Sequence, residues 1–241
     1  EKNPEIIWAC QCAKGYQEHK WQPHVLPNDY NFTPYLDKMT KWNGYKISWS
    51  FMHTFDPEDK RLLTIASEYT SKDGVVHNEK NDSQDPSAQL YLGAVPLKYE
   101  FDPDCTGEDS QIDWIIYRYA DVLTLTAEAI VRNKNAVTKE AVDLLNEVRT
   151  RSLPGKGYSL QDLNSVDKFL KAVLDERGWE LYFEGNRRQD LIRYGIFVET
   201  IKKKAQSMGK QTLVDENRHR FPIPQSIIDE GKGVIEQNPG Y

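Results

Sequence analysis

The chain has 241 residues, of which 39% are apolar, so it can bury either one large core or two small ones. With 31 Lys and Arg against 37 Asp and Glu, its formal net charge is −6, which excludes the basic surface typical of a general nucleic-acid binder. The sequence shows no membrane-length apolar run, no opening signal-peptide pattern, and neither disulfide nor zinc spacing among its three Cys residues, Cys10, Cys12 and Cys105.

The first third of the chain is predicted to combine short strands with irregular loops. Residues 6–9 and 61–69 are predicted strands, and Asp73-Gly74 predicts a turn after the second of them. Residues 72–90 are polar and rich in turn formers, which is typical of an exposed loop. Residues 21–55 form an aromatic segment that contains Trp21, Tyr30, Phe32, Tyr35, Trp42, Tyr45, Trp49, Phe51 and Phe55.

The aromatic segment is the strongest candidate for a ligand site. Trp and Tyr rings stack on the C–H faces of sugar rings through the same apolar and π forces that pack cores. The Asn43-Gly44 pair predicts an exposed turn, and neighbouring Asn and Asp side chains offer polar contacts to a sugar. In the alternative, most of the rings only fasten an irregular loop to the helices, because large aromatic side chains are usually buried. The predicted ligand contacts are Trp42, Tyr45 and Trp49, followed by Trp21, Tyr30 and Asn43.

A second candidate site is the acidic loop at residues 102–113, with the sequence DPDCTGEDSQID. Aligned with a calcium-binding loop, it offers acidic ligands at Asp102, Asp104 and Asp113 and places a Gly at the sharp turn. It departs from the motif because Asp113 replaces a bidentate Glu and no helix precedes the loop. Asp-rich turns are mostly solvated, so we expect no cofactor and keep calcium as the alternative.

The second half of the chain is predicted to be helical. Apolar residues recur at helical spacing over residues 119–133 and 138–152, and Thr138 is the expected N-cap of the second of these helices. A third helix is expected to begin after Ser165, and a further one covers residues 196–207.

These helices predict the fold class. Two helices of about 15 residues joined by a short loop have the size of a tetratricopeptide pair, although no second copy at a period of about 34 residues is visible. We therefore expect a mainly α protein with a tetratricopeptide-like α-α superhelical scaffold over residues 113–241. Residues 1–112 are expected to form a loop- and aromatic-rich part with irregular loops and a few short strands.

The charged stretch at residues 175–195 is the candidate for catalysis. Three glutamates spaced by four residues are expected on one helix face, and Gly185-Asn186 is expected to end that helix. Two such carboxylates can act as the acid and the nucleophile of a glycosidase. Arginines alternate with them, however, and neighbouring positive charge keeps carboxylates ionised, which favours a structural lattice of ion pairs. The glutamates are Glu176, Glu180 and Glu184, and the arginines are Arg177, Arg187, Arg188 and Arg193.

Other catalytic patterns are missing from the sequence. It contains no Ser-His-Asp arrangement, no HExxH motif and no phosphate-binding glycine loop, and its five His residues are scattered. We therefore expect a protein that is not an enzyme. A glycosidase that uses the Glu176 and Glu184 region is the alternative.

Several blocks of the second half resemble the SusD/RagB family. Residues 117–130 (YRYADVLTLTAEAI) and 145–151 (LNEVRTR) resemble two of its helical motifs. Residues 175–195 resemble its E-R-x-x-E-L-x-F-E-G-x-R-x-x-D-L-x-R-x-G pattern. Residues 221–225 (FPIPQ) and 237–241 (QNPGY) are similar to its closing motifs. The blocks keep the order and spacing of the family.

This match, which extends over residues 98–241, implies the C-terminal region of a surface-exposed lipoprotein of the bacterial outer membrane. Proteins of this family bind a nutrient, usually a glycan or oligosaccharide, and are not enzymes. They deliver the ligand to a SusC-like TonB-dependent transporter during polysaccharide utilisation.

The resemblance also implies that the lipidated Cys and the N-terminal helices of the family lie upstream of Glu1. Cys10 and Cys12 are not expected to replace that Cys, because no apolar segment precedes them. The alternative function is a tetratricopeptide-type module that binds a peptide or a partner protein.

Overall fold

The computed structural model describes residues 3–30 and 37–241. The chain divides into two units, Glu1–Glu184 and Gly185–Tyr241, each of which is described by itself. Helices dominate and the strands are short, which confirms the mainly α fold class expected from the sequence. Phe32 and Tyr35, which belong to the aromatic segment, lie outside the described residues.

The first unit contains short strands and short helices, followed by long helices. Its strands are β1 (Ile6–Cys10), β2 (Ile65–Ala66), β3 (Glu68–Thr70), β4 (Val76–Asn78), β5 (Val95–Pro96) and β6 (Trp114–Arg118). They pair antiparallel, β1 with β6, β2 with β5 and β3 with β4. Its helices are α1 (Trp21–Val25), α2 (Trp49–Met52), α3 (Glu79–Asp82), α4 (Tyr119–Lys134), α5 (Lys139–Ser152) and α6 (Val166–Glu180), with a 3₁₀ helix at Lys60–Thr64.

The long helices α4, α5 and α6 form the helical scaffold of this unit. Asn135 adopts a left-handed conformation with a φ of 48° and ends α4, and the chain turns within residues 135–138 so that α5 packs against α4. The predicted caps are confirmed, because the hydroxyls of Thr138 and Ser165 each accept the backbone N–H three residues further on. Fully buried apolar side chains fill the core between the helices, among them Ala127, Val131, Leu145, Phe169 and Val173.

Two predictions for the first half of the chain are wrong in detail. Residues 61–69 do not form one strand, because the carboxylate of Asp59 accepts the backbone N–H of Arg61 at 2.9 Å and starts the 3₁₀ helix there. Residues 72–90 are not simply an exposed loop, since they contain β4 and α3 and bury His77 and Asp82. The predicted Asp73-Gly74 turn is confirmed, with Gly74 at a φ of 79° between β3 and β4.

Helix α6 ends at Glu180, before the predicted stop at Gly185-Asn186. Phe183 follows with a φ of 59°, a left-handed conformation that interrupts the helical alignment of the glutamates. Glu184 therefore leaves the helix face that Glu176 and Glu180 share. Its carboxylate still joins the same buried group of charges.

Charged side chains from six segments of the first unit meet in this group, which we call the ionic cluster. Nη1 of Arg61 lies 2.6 Å from Oε1 of Glu176 and 3.1 Å from Oε2 of Glu180. Arg118 places Nη1 2.6 Å from Oε1 of Glu180 and Nε 2.6 Å from Oε2 of Glu184. The three glutamates are only 0%, 4% and 8% exposed in chain order. The members of the ionic cluster are Glu5, Asp59, Arg61, Lys98, Arg118, Arg149, Arg151, Glu176, Glu180 and Glu184.

The glutamates of the ionic cluster pair with basic residues from distant segments of the first unit. Arg177, the next residue after Glu176, donates to Oδ1 of Asp121 at 2.7 Å. Burial acts to raise the pKa of Glu180, but the charges of Arg118 and Arg151 outweigh it and hold that pKa below its ordinary value. For Glu176 burial prevails and raises the pKa, so the expectation that no carboxylate pKa would be raised is wrong there.

The second unit contains α7 (Arg187–Arg193), α8 (Phe197–Ser207), a 3₁₀ helix at Glu216–His219 and α9 (Gln225–Glu230). The bounds of α8 confirm the helix predicted over residues 196–207. The core of the second unit is formed by buried Leu191, Phe197 and Val198. The two closing motifs meet, because the side-chain amide of Gln237 accepts the N–H of Ile223 at 2.8 Å and donates to its carbonyl at 2.9 Å.

Removal of one carboxylate from the ionic cluster should destabilise the first unit. Glu184→Ala leaves Arg118 and Lys98 short of a buried counter-charge, and breaking such a pair costs about 3–5 kcal/mol of unfolding free energy. Chemical denaturation measures the loss. The matched control is Asp143→Ala, which breaks an exposed pair with Lys139 and should cost no more than about 0.5 kcal/mol. Equal losses in the two variants would contradict a buried role for the cluster.

The ionic cluster should also make the fold sensitive to acid. Because the pKa of Glu180 is lower in the folded chain than its ordinary value of 4.5, ionised Glu180 stabilises the fold above that pH, and this contribution is lost as the pH falls through the folded pKa. Urea unfolding below about pH 5 should therefore show a steeper loss of stability in the wild type than in Glu180→Gln. The exposed Glu140→Gln is the control, and it should follow the wild type. A Glu180→Gln curve parallel to the wild-type curve would exclude this linkage.

Candidate functional site

Two predicted ligand contacts, Trp42 and Tyr45, lie at the surface of the first unit on either side of the predicted turn. Trp42 is 45% exposed and Tyr45 is 52% exposed. Asn43 adopts a left-handed conformation with a φ of 52°, which Asn tolerates better than most residues. The turn predicted from Asn43-Gly44 is therefore present, and it displays both rings to solvent.

The backbone of this turn is fastened along α1 and the residue that follows it. The N–H of Trp42 donates to the carbonyl of Pro23 at 2.8 Å, and the N–H of Asn43 donates to the carbonyl of Leu26 at 2.9 Å. The N–H groups of residues 44 and 45 both donate to the carbonyl of His24, at 2.7 Å and 3.0 Å. Four backbone hydrogen bonds in succession leave the turn little freedom to reorient its rings.

The rings beside the turn form a continuous series of ring contacts, which we call the aromatic row: Trp42, His24, Tyr45 and Trp21. The His24 ring lies 4.4 Å from the Trp42 ring centroid at an interplanar angle of 28°, and 5.6 Å from that of Tyr45. Trp21 stacks on Tyr45 at 5.9 Å and 18°. The sequence does not single out His24, because one of five scattered His residues carries no spacing signal.

Trp21 anchors the inner end of the aromatic row to the unit. It is half-buried, and its ring centroid lies 5.1 Å from that of Trp114 and 4.9 Å from that of Phe183. At the outer end, Nζ of Lys20 lies 5.9 Å from the centroid of Trp42, within cation–π range. The row therefore runs from a packed base to an exposed, positively flanked ring.

Trp49 and Tyr30 do not lie beside the exposed rings. Nε1 of Trp49 donates to the carbonyl of Leu90 at 3.1 Å, and its ring packs against two hydrophobic core clusters. Tyr30 is 2% exposed and its ring centroid lies 5.1 Å from that of Tyr69. Both rings hold loops to the core, which is the structural alternative considered for the segment.

The side chain of Asn43 also helps to hold the turn in place. Its Nδ2 donates to the carbonyl of Gln89 at 3.1 Å, which ties the turn to the segment after α3. Within the part of the chain that the structure describes, its Oδ1 is buried without a hydrogen-bond partner, as are Nε2 of His24 and Oε1 of Gln89. The side chain predicted as a polar ligand contact thus positions the rings on either side of it.

The acidic loop uses its carboxylates for internal hydrogen bonds. Asp102 is 2% exposed, and it accepts the backbone N–H groups of Asp104 at 3.0 Å and Gln111 at 2.8 Å. Oδ1 of Asp113 accepts the N–H of Cys12 at 2.9 Å. Among the residues that the structure describes, no group of three or more His, Cys, Asp or Glu side chains is arranged to hold a metal ion. Calcium binding by this loop stays a prediction.

The glutamates considered for a glycosidase are enclosed in the ionic cluster. Glu176 is fully buried and pairs with Arg61 and Arg149, at 2.6 Å and 3.0 Å. Glu184 is 8% exposed and pairs with Arg118. A glycosidase needs two carboxylates that flank an open cleft, and these side chains face arginines instead.

A cavity of about 510 Å³ lies elsewhere in the first unit, lined by residues 135–137 and by Leu160, Leu163, Asn164, Ser165 and Val166. Its lining contains no aromatic side chain and none of the predicted site residues. The aromatic row, by contrast, carries rings that are exposed at the surface.

Within the described parts of the chain, no helix is both long enough and apolar enough to cross a membrane.

The sequence matches the model of the SusD family over residues 64–241. SusD-like protein P2 of Formosa agariphila is 27% identical over 209 residues, which cover 83% of this chain and 41% of that protein. The starch-binding protein SusD of Bacteroides thetaiotaomicron is 31% identical over 131 residues, which cover 52% of this chain and 21% of that protein. The chain thus spans less than half the length of the curated relatives it matches.

Solved structures share the fold. A SusD homolog from Bacteroides thetaiotaomicron has a TM-score of 0.68 at 24% identity, covering 98% of this chain and 52% of that chain. Surface glycan-binding protein A from the same species, in complex with laminarihexaose, has a TM-score of 0.64 at 18% identity, covering 97% and 52%. The family model matches well over half of the residues, in the order of motifs seen in the sequence, and this chain belongs to the SusD family.

Proposed function

We propose that this chain is the C-terminal region of a surface glycan-binding protein and that the aromatic row is its sugar platform. The observation that carries the proposal is the pair of half-exposed rings, Trp42 and Tyr45, held on a turn with four backbone hydrogen bonds. Rings fixed before binding lose little conformational entropy when a sugar stacks on them. Their apolar faces then match the C–H faces of pyranose rings.

The shape of the platform favours an oligosaccharide or polysaccharide over a single sugar. Successive rings of the row are 4.4 Å, 5.6 Å and 5.9 Å apart, and two of them, Trp42 and Tyr45, are 45% and 52% exposed. A small ligand gains most of its affinity from enclosure, whereas an extended chain adds contacts along a surface. We therefore assign neighbouring sugar units to Trp42 and Tyr45.

Named relatives support the ligand class. One is a starch-binding protein, and the fold is shared with a surface glycan-binding protein that was solved with laminarihexaose. We further propose that the whole protein is a lipoprotein at the outer-membrane surface, partnered with a SusC-like TonB-dependent transporter in polysaccharide utilisation. Catalysis is not part of the proposal, because the carboxylates of the ionic cluster are enclosed by arginines.

A second candidate function is partner binding by a tetratricopeptide-type module. It is favoured by exposed apolar side chains of β1 and β6. Trp8 is 60% exposed, and its ring centroid lies 5.9 Å from that of Tyr117, which is 49% exposed. Contiguous exposed apolar side chains often mark protein interaction sites. Glycan binding that depends on Trp42 separates this candidate from the sugar platform.

Loss of an exposed ring should weaken glycan binding. Trp42→Ala and Tyr45→Ala each remove one stacking face, worth about 1–2 kcal/mol, and should raise the Kd roughly 5- to 30-fold. Affinity electrophoresis in gels that contain starch, laminarin or xylan measures the retardation. The control Tyr16→Ala removes a 93% exposed ring outside the row and should bind as the wild type does. The proposal fails if no glycan retards the protein or if both variants are retarded as strongly as the wild type.

Trp49 should behave as a core residue under the same mutation. Trp49→Ala removes a ring that packs on two core clusters and should lower the unfolding free energy by about 3 kcal/mol. Trp42→Ala removes a half-exposed ring and should lower it by less than about 1 kcal/mol. Urea denaturation of the two variants gives the comparison. Similar stabilities would show that the assignment of Trp49 to the core is wrong.

A further inference from the structure

His77 lies between two carboxylates in a buried part of the first unit. Its Nε2 is 3.0 Å from Oδ2 of Asp29 and its Nδ1 is 2.9 Å from Oδ2 of Asp82. The side chain of His77 is 10% exposed, that of Asp82 is 5% exposed and that of Asp29 is 27% exposed. Tyr69 covers the imidazole at 5.0 Å and donates its hydroxyl to Oδ1 of Asp29 at 2.6 Å.

This geometry requires a proton on each ring nitrogen. Ionised carboxylate oxygens only accept hydrogen bonds, and a neutral imidazole has one N–H to donate. The two contacts of His77 are therefore both hydrogen bonds only when the ring is an imidazolium. A buried carboxylate without a positive partner is costly, so Asp82 depends on this charge.

Asp82 connects the imidazole to the aromatic row. The same Oδ2 that faces His77 accepts the backbone N–H of Leu90 at 2.9 Å. The carbonyl of Leu90 accepts the indole N–H of Trp49 at 3.1 Å, and the neighbouring carbonyl of Gln89 accepts Nδ2 of Asn43 at 3.1 Å. Asn43 lies between the two exposed rings, so a shift of the 89–90 backbone reaches the turn that carries them.

We propose that His77 is a positioning residue whose protonated ring holds Asp82 and the 89–90 backbone in place and thereby sets the orientation of Trp42 and Tyr45. It follows that glycan binding, on which this inference rests, is stronger when the His77 ring is protonated than when it is neutral. When the ring is neutral, one carboxylate loses its hydrogen bond and the backbone it supports loosens.

Other titratable groups face the same cluster. Lys46 is buried, its Nζ donates to the carbonyl of Val25 at 3.0 Å, and its charge acts on Asp29; burial lowers its pKa to about 7. Burial also lowers the pKa of Lys41 and raises that of Tyr69. Of these, Lys46 titrates near neutral pH, so the experiment must separate it from His77.

The first measurement is the pH profile of glycan affinity. For the glycan that binds the wild type, the Kd should rise about tenfold from the acidic to the alkaline end of the profile, the effect of losing one charge-assisted hydrogen bond. His77→Gln, which cannot donate from two ring positions, should give a flat profile. Lys46→Met and the exposed-histidine control His53→Gln should retain the wild-type profile. A profile that is flat in Lys46→Met, or unchanged in His77→Gln, overturns the inference.

The second measurement needs no ligand and no variant. In ¹⁵N spectra of the wild type at the pH where glycan binding is strongest, both ring nitrogens of His77 should have the shifts of an imidazolium, and hydrogen exchange of the Leu90 amide should speed up as that signal is lost at higher pH. A neutral ring at the pH of strongest binding, or Leu90 exchange that does not follow the ring, would refute the coupling. Binding that resists Trp42→Ala would instead refute the platform, so the two failures are distinct.

Discussion

The first unit depends on a set of buried charged side chains, each of which is stable only when its oppositely charged partners are present. Glu176 and Glu180 come from α6, while their arginines come from the 3₁₀ helix, β6 and α5. Taking each charge out of water costs several kcal/mol, and the attraction compensates only when every partner is in place. The ionic cluster therefore contributes less to net stability than to the choice of a single arrangement, because any shifted packing leaves a buried charge without its partner.

The same constraint extends to the aromatic row. Glu184 reaches Arg118 because the chain leaves α6 through the left-handed conformation of Phe183. That conformation places the Phe183 ring centroid 4.9 Å from that of Trp21, on which Tyr45 stacks. The turn that completes the ion pairs thus also supplies the base of the row. The displayed turn therefore takes part of its fixed orientation from the scaffold.

Local signals made the helices and the displayed turn predictable from sequence. Thr138 and Ser165 cap their helices through contacts three residues away, and Asn43-Gly44 marks a turn by its own backbone preference. Ion pairs between residues far apart in the chain leave no such local signal in the sequence. Arg61 and Glu176, for example, pair across 115 positions. For a related reason, the sequence could not separate displayed aromatic side chains from packed ones. Trp42 and Trp49 are the same residue type in the same segment, and only the tertiary contact of Trp49 with Leu90 separates a displayed ring from a packed one.

The proposed platform and the family resemblance come from different parts of the chain. The glutamates and most of the basic residues of the ionic cluster lie within residues 64–241, which match the family model, whereas the aromatic row lies at residues 21–45, before that match begins. In the proposed platform, the spacing and the tilt of the rings would set the ligand preference. The spacing and tilt of the rings depend on contacts between residues 21–45 and other parts of the first unit, such as Trp21 with Phe183 and Asn43 with Gln89.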